Sequence, residues 1–412
     1  MTSPQRTERG SVERAARQRR LPLLRDPNLQ VVFAITLMAM LGVASVTPAF
    51  PSVADALGIE PRAVGLLVAA FTIPGVVLTP LLGVLADRYG RKPVLVPSLV
   101  LFGLAGGACG IARSFELLVG LRLLQGVGAA ALGAINVTLI GDLYAGRRRT
   151  EAMGYNSAVL SVGTAAYPAV GGALAMFAWY WPFFLPALAV PVALVVLLVL
   201  RSPVPEPASD LRSYFRGAAR VVARWDVIVI LGAGLVTFVL IYGAYLTYLP
   251  FVLARRFEAT ALGIGAVFAV ASIATAVTSF SLGRLADLFG ERRLVLLGFV
   301  VYAGVTGLMP HAASVPQQLL LVVAFGAANG VTIPSILTIV AGAAHEQSRA
   351  ALMSVNGMLL RLGQTIGPVA AGAAYAAWRL EAPFWLSAGI AALMLPPLWS
   401  VARRPRQHSM EA

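Results

Sequence analysis

The chain has 412 residues, of which 58% are hydrophobic and 12% charged, with a mean hydropathy of +0.80. A soluble domain carries about twice that charged fraction, which excludes a water-soluble globule, and the formal charge of +14 has to be judged by its placement before it is read as a nucleic-acid footprint. Apolar blocks of about 20 residues, the length that crosses a hydrocarbon core as a helix, and the lack of strand-like alternation predict an all-α membrane protein and not a barrel.

In chain order, residues 1–28 form a basic arm whose Arg6 to Arg25 are expected to lie against anionic headgroups. This arm has no apolar segment ending in a small-residue cleavage site, so no signal peptide is expected. Six spans follow, over 29–50, 63–85, 94–111, 116–141, 152–176 and 182–200. After a connection over 201–225, six more cover 226–253, 263–283, 294–311, 317–341, 350–376 and 383–400, and residues 401–412 form a tail. The expected units are therefore a six-helix bundle at 29–200 and a second at 226–400. Pro203, Pro205 and Pro207 end the sixth span. Behind them Leu211, Phe215, Ala218 and Val222 share one face, and Arg212, Arg216, Arg220 and Arg224 recur every fourth residue. This pattern predicts a helix lying on the membrane surface, with a solvated basic loop as the alternative.

Placement settles the charge. Counted over these segments, 25 of the 32 Lys and Arg residues fall on the side holding both termini, five fall on the other, and Arg122 and Arg361 lie inside spans. The positive-inside rule then puts both termini in the cytoplasm of a multi-pass inner-membrane protein, in contact with the lipid bilayer and with no nucleic-acid partner. Cys109, the one cysteine, lies in a Gly/Ala-rich span and reads as a small apolar filler.

An internal duplication runs at one offset. Gly83, Leu85, Ala86, Asp87 and Gly90 return as Gly283, Leu285, Ala286, Asp287 and Gly290, 200 residues later. Asn156, Leu160, Gly163, Pro168 and Gly172 return as Asn356, Leu360, Gly363, Pro368 and Gly372. With six spans between copies, both repeats keep the same orientation and are related by an axis along the membrane normal.

On these residues the chain resembles the major facilitator superfamily, from 29 to 400. Gly83, Asp87, Arg88, Gly90, Arg91 and Lys92 look like its signature between helices 2 and 3. Arg122 with Gln125, Gly126 and Gly128 looks like the fourth-helix motif, and Gly163, Pro168, Gly171 and Gly172 look like the fifth-helix motif of the 12-helix drug:proton antiporters. The resemblance implies two pseudo-symmetric six-helix bundles rocking about a central site, with helices 1, 4, 7 and 10 lining a cavity and transport by alternating access. Two features depart from that branch. Tyr167 stands where the motif usually has Gly, and none of the 18 acidic residues falls mid-span.

The candidate residues fall into three groups. At the loops, Gly83, Asp87, Arg88, Gly90 and Arg91, with Gly283, Asp287 and Gly290, are expected to form a gate. Asp87 is aimed at the positive N-terminus of helix 11, and Asp287 at a helix 5 whose start already carries Glu151, so the first latch should be the stronger. For substrate or coupling the candidates are Arg122, Gln125, Asn136, Asp142, Asn156, Tyr167, Tyr242, Tyr245, Asn329, Asn356, Arg361 and Gln364. Tyr242, Tyr245 and Tyr248 read either as a stripe for flat amphiphiles or as packing. Arg122 reads either as a switch or anion contact, or as a brace on Gln125 and backbone carbonyls. If both arginines face the cavity, the substrate is anionic or zwitterionic. Pro168 and Pro368 are expected to let helices 5 and 11 flex.

No metal cluster, phosphate loop or nucleophile with its base is present, so neither an enzyme nor an ATP-driven pump is predicted, and no cofactor. Three readings stand: a monomeric efflux transporter for hydrophobic or amphiphilic small molecules, exchanging them for protons; an exporter or flippase of an anionic amphiphile or lipid; and a non-transporting receptor or scaffold. If protons are coupled, the titrating group is peripheral: Asp142, Asp26, Glu116 or His311.

Overall fold

A computed structural model describes residues 23–201, 224–343 and 346–403. The basic arm, most of the connection with its expected surface helix, and the tail lie outside these residues. The described chain is helical throughout and contains no strand. Eleven of its helices are long and apolar enough to cross a membrane. In chain order, α1 is Pro27–Leu57, α2 Pro61–Tyr89, α3 Arg91–Cys109, α4 Phe115–Leu143, α5 Gly146–Ala175, α6 Trp181–Val199, α7 Trp225–Phe257, α8 Ala261–Phe280, α9 Glu291–His311, α10 Val315–Gly342 and α12 Ala382–Ala402. The twelfth expected place is taken by α11, Glu346–Ala377, a 32-residue helix packed along α2 and α7.

Helices run past the predicted spans at several ends. α5 begins at Gly146 rather than 152, because Arg147 and Glu151 pair across one turn and keep the exposed segment helical. α1 departs the other way: its regular helix stops at Ala44 and passes through a 3-10 turn, Thr47–Ala49, before resuming at Phe50–Leu57. Pro48 and Pro51 remove two backbone donors there, and the Ser45 hydroxyl returns to the Leu41 carbonyl at 2.7 Å. Serine caps open α4 and α10 alike, Ser114 and Ser314 accepting from Leu117 and Gln317. These caps stand 200 residues apart, as the repeats require.

Apolar side chains remain exposed along the outer helices, among them Leu104 of α3, Leu198 of α6, Val300 of α9 and Leu393 of α12. In a chain with this many spans they are the surface that meets lipid.

The two halves meet unevenly. At the end opposite the duplicated loops, their buried residues merge into one core, in which Phe50, Val64 and Leu67 pack with Tyr248, Phe251 and Ala371. Toward the loops, residues such as Leu29, Leu95, Leu99 and Leu139 form a separate core within the first half. The joined end is built from contacts related by the 200-residue offset. Gly65 of α2 lies under the Pro368 carbonyl of α11, and Gly265 of α8 under the Pro168 carbonyl of α5. Gly172 faces the Ala261 carbonyl as Gly372 faces that of Arg62. Midway along, Thr365 donates to the Thr72 hydroxyl at 2.9 Å and Ser272 to the Thr164 carbonyl at 3.0 Å. At the loop end, Gly83 and Gly283 have no neighbour within 4 Å where a side chain would project. The packing between the halves that is built on these paired glycines thus lies at the end opposite the loops.

A Cβ on Gly265 would overlap the Pro168 carbonyl, whereas one on Gly263, half a turn away, would meet nothing closer than 3.6 Å. Gly265→Ala is expected to destabilise the protein by about 1–3 kcal/mol through overpacking and Gly263→Ala by less than about 0.5 kcal/mol. Thermal unfolding followed by tryptophan fluorescence measures the difference.

Candidate functional site

The loop residues organise first around Arg91. Its guanidinium, on a side chain only 8% exposed, holds Asp142 at 2.8 Å through Nε and Asp87 through Nη1. This joins the ends of α2 and α4 to the start of α3. Gly90 makes the single-residue turn between α2 and α3 at φ 96°, and Gly290 makes its counterpart at φ 79°, a left-handed conformation that favours glycine. Arg88 lies over the neighbouring Tyr89 ring at 5.6 Å. Among the described residues the Asp87 carboxylate is paired within its own half, with Arg91; the side chains at the start of α11, where its expected partner lies, are outside those described.

The second loop lacks this arrangement. Position 291 is Glu where position 91 is Arg, and 342 is Gly where 142 is Asp. Asp287 makes no ion pair among the described residues. The two loops therefore differ in their own residues, Arg91 and Asp142 in the first against Glu291 and Gly342 in the second. Glu151 is paired with Arg147 at 2.9 Å.

The two in-span arginines separate. Arg122 is 1% exposed inside the first half; its Nε donates to the Leu67 carbonyl at 3.2 Å, Nη1 donates to Gln125 Oε1 at 2.8 Å, and the guanidinium sits 4.5 Å from the Phe71 ring centroid. It braces α2 against α4, which is the second of the two readings its sequence context allowed. Arg361, on α11, reaches into the opposite half: a Cβ on Gly75 of α2 would lie 3.3 Å from its Cδ, and one on Gly133 of α4 would lie 3.1 Å from Nη2. The two arginines share no site.

The asparagines also divide. Asn136 of α4 donates to the Thr36 hydroxyl of α1 at 2.5 Å, and that hydroxyl is 2.5 Å from Asn156 Oδ1 of α5. All three side chains are buried. They tie α1, α4 and α5 together and do not line an open cavity. Asn329 accepts from Tyr302 at 2.6 Å within the second half. Asn356 is buried on the far side of α11 from Arg361's partners, its Oδ1 unpaired near Gly234 and beside a small void with Thr237 and Ile336.

Of the tyrosines, Tyr245 is stacked on Phe325 at 4.3 Å and Tyr248 on Tyr375 at 5.7 Å, both inside the second half. The packing alternative holds for them. Tyr242 is partly exposed, stacks on Phe238 at 6.0 Å, and packs against the cores of both halves, as does Leu246. It opens a π-helical stretch, Ile241–Tyr248, in which Thr247 donates to the Tyr242 carbonyl at 2.6 Å. Pro250 lies just beyond and cannot supply a normal helical donor. Tyr167 is partly exposed on α5, near Gly163 and Leu37, and Gln364 lies one turn from Arg361. Pro168 and Pro368 sit inside intact helices with their carbonyls against Gly265 and Gly65. His311, at the end opposite the loops, accepts from Trp385 at 3.2 Å and is exposed.

Sequence reasoning missed Gly75 as a neighbour of Arg361 and the pairing of Thr36 with both asparagines. A glycine in an apolar run carries no signal of the side chain that lies over it. Thr36 was legible only as one of few polar residues in the first span.

Among known proteins, a family model described as Major Facilitator Superfamily matches residues 32–263 and again 232–411. The chain belongs to the major facilitator superfamily. As such it is a multi-span membrane transporter and not an enzyme. Multidrug resistance protein 1 of Bacillus subtilis (strain 168) is 28% identical over 353 residues, covering 84% of this chain and 88% of that protein. The quinolone resistance protein NorA of Staphylococcus aureus (strain MRSA252) is 23% identical, covering 87% and 92%. These relatives support an efflux transporter. Two solved structures share the fold of this major facilitator protein. A bacterial homolog of the human lysosomal transporter Spinster, inward-facing and unoccupied, aligns with a TM-score of 0.76 at 18% identity over 91% of this chain and 96% of that one. The nucleoside transporter NupG aligns with a TM-score of 0.76 at 11% identity over 93% and 100%.

Removing Arg91 strands two carboxylates beside a buried space. Arg91→Ala is expected to destabilise by about 2 kcal/mol, less than for a fully buried pair because both carboxylates are partly exposed. Arg88→Ala is expected to stay within about 0.5 kcal/mol. In a dye-efflux assay Asp87→Asn should slow transport more than Asp287→Asn, and equal slowing would remove the functional asymmetry of the loops.

Proposed function

We propose that this major facilitator protein is a secondary exporter of hydrophobic or amphiphilic small molecules, working by alternating access in exchange for protons. The observation that carries the reading is the joining of two pseudo-symmetric halves through symmetry-related contacts, Gly65 with Pro368 and Gly265 with Pro168, at the end opposite the loops. Relatives named for multidrug and quinolone resistance, matched over most of their length, support the efflux part of it. The proposed units are residues 29–200 and 226–400. Rocking about the paired glycine contacts would close the loop end as the opposite end opens. With the loop end in the cytoplasm, as the lysine and arginine placement favours, the loop side receives substrate from inside the cell.

For the proton, the groups best placed are the two carboxylates on Arg91. Protonating Asp142 at the membrane edge would free one arm of the Arg91 guanidinium and loosen the ends of α2, α3 and α4 together. Coupling of this kind needs no carboxylate in mid-span.

The test uses the purified full chain in liposomes preloaded with a fluorescent amphiphilic dye. A proton gradient directed against dye movement should accelerate dye flux, and adding dye should release or take up protons in fixed ratio. Asp142→Asn should keep dye binding and lose the acceleration. Intact flux with no pH response would replace exchange by uniport or by another coupling ion, and no flux of any dye would remove the exporter reading.

A further inference from the structure

Arg361 is a cation at the meeting of the two halves for which the described residues supply no ion-pair partner. An arginine at this depth is costly unless a partner or water meets it. The ion pairs of the described residues lie at helix ends, and no side chain or carbonyl among those residues hydrogen-bonds its guanidinium. Arg122 shows what a structural arginine looks like in this chain: a carbonyl takes its Nε, an amide oxygen takes its Nη1 and an aromatic ring lies against the guanidinium.

The surroundings of Arg361 are shaped for something else. Gly75 and Gly133, from two helices of the opposite half, leave a notch through which the side chain passes. The notch exists once. At the positions related by the repeat offset stand Ser161, Thr275 and Ile333, so pseudo-symmetry does not account for it. α11 packs along α7, where Tyr242 with Phe238 offers a flat, partly exposed aromatic surface. Gln364, one turn along α11, adds a neutral donor and acceptor on a neighbouring face.

We propose that Arg361 is the headgroup site for an organic anion, a carboxylate or phosphate on an apolar body, with its oxygens on the guanidinium and its apolar part against Tyr242 and Phe238. This rests on the exporter reading and names its substrate class. A planar guanidinium matches two oxygens of a carboxylate or phosphate at once. Because the side chain crosses from α11 to α2 and α4, the bound anion meets both halves, and its binding bears on their movement.

The experiment measures binding to the purified full chain in neutral detergent. The soluble pair is dansylglycine and its methyl ester; the lipid pair is short-chain NBD-phosphatidylglycerol and the matching neutral NBD-diacylglycerol. The wild type should bind at least one anion about ten-fold or more tightly than its neutral partner, the value of a charge-assisted hydrogen bond. The pair that shows the preference tells whether the anion is soluble or a lipid. Arg361→Gln should bring that ratio close to one, and Arg361→Lys, which keeps a charge without the fork, should leave it reduced. Wild-type ratios near one for both pairs overturn the proposal without any variant, and so does a ratio that survives in Arg361→Gln. Gradient-driven flux, measured after the same protein is reconstituted into liposomes, separates the two failures: flux without anion preference sinks this inference alone, and absence of flux of every probe, neutral dye and anion alike, sinks the exporter reading beneath it.

Discussion

Backbone-to-backbone contact between the halves is the constraint on which the rest of this structure depends. Two apolar bundles in a bilayer gain little from hiding hydrophobic surface, because lipid chains are as apolar as leucine. Association must come from close packing, and that requires glycine where helices cross. Gly65 under Pro368 and Gly265 under Pro168 supply it twice, in symmetry-related places. The helix backbones meet there with no side chain between them, so small rotations at these points are amplified at the distant loop ends.

Buried polar groups do different work in the two halves. In the first, the Thr36 hydroxyl is shared by Asn136 and Asn156, and Arg122 is met by Gln125 and the Leu67 carbonyl. In the second, positions 236, 322, 325 and 336 hold Val, Val, Phe and Ile, so Asn356 keeps the place of Asn156 without its companions. Hydrogen bonding inside the first half thus favours a rigid unit. The second is held more by stacked rings, Tyr245 on Phe325 and Tyr248 on Tyr375, and it carries the π-helical stretch and the unpaired Arg361. The half that is less polar in its interior presents the charge to the interface.

A similar inequality runs through the loops. Gly90 and Gly290 adopt nearly the same turn, which preserves the geometry of the duplication, yet Arg91 gathers two carboxylates while Glu291 takes its place in the copy. Backbone shape has been kept where one residue must turn the chain. Charge has diverged where only one side needs to be held.

By itself the sequence determined the number and order of the spans, the duplication, the two glycine turns, the absence of mid-span acids and the family, because each follows from composition or spacing along one chain. Tertiary structure alone decided which polar residues meet: that Arg122 is a brace, that Asn136 and Asn156 share Thr36, that Tyr245 and Tyr248 are packing, and that Arg361 lies against Gly75 and Gly133. In water, an apolar face marks the inside of a helix. In a membrane both lipid and core are apolar, so hydropathy cannot tell which face turns inward, and the direction of each polar side chain is settled only when the helices pack.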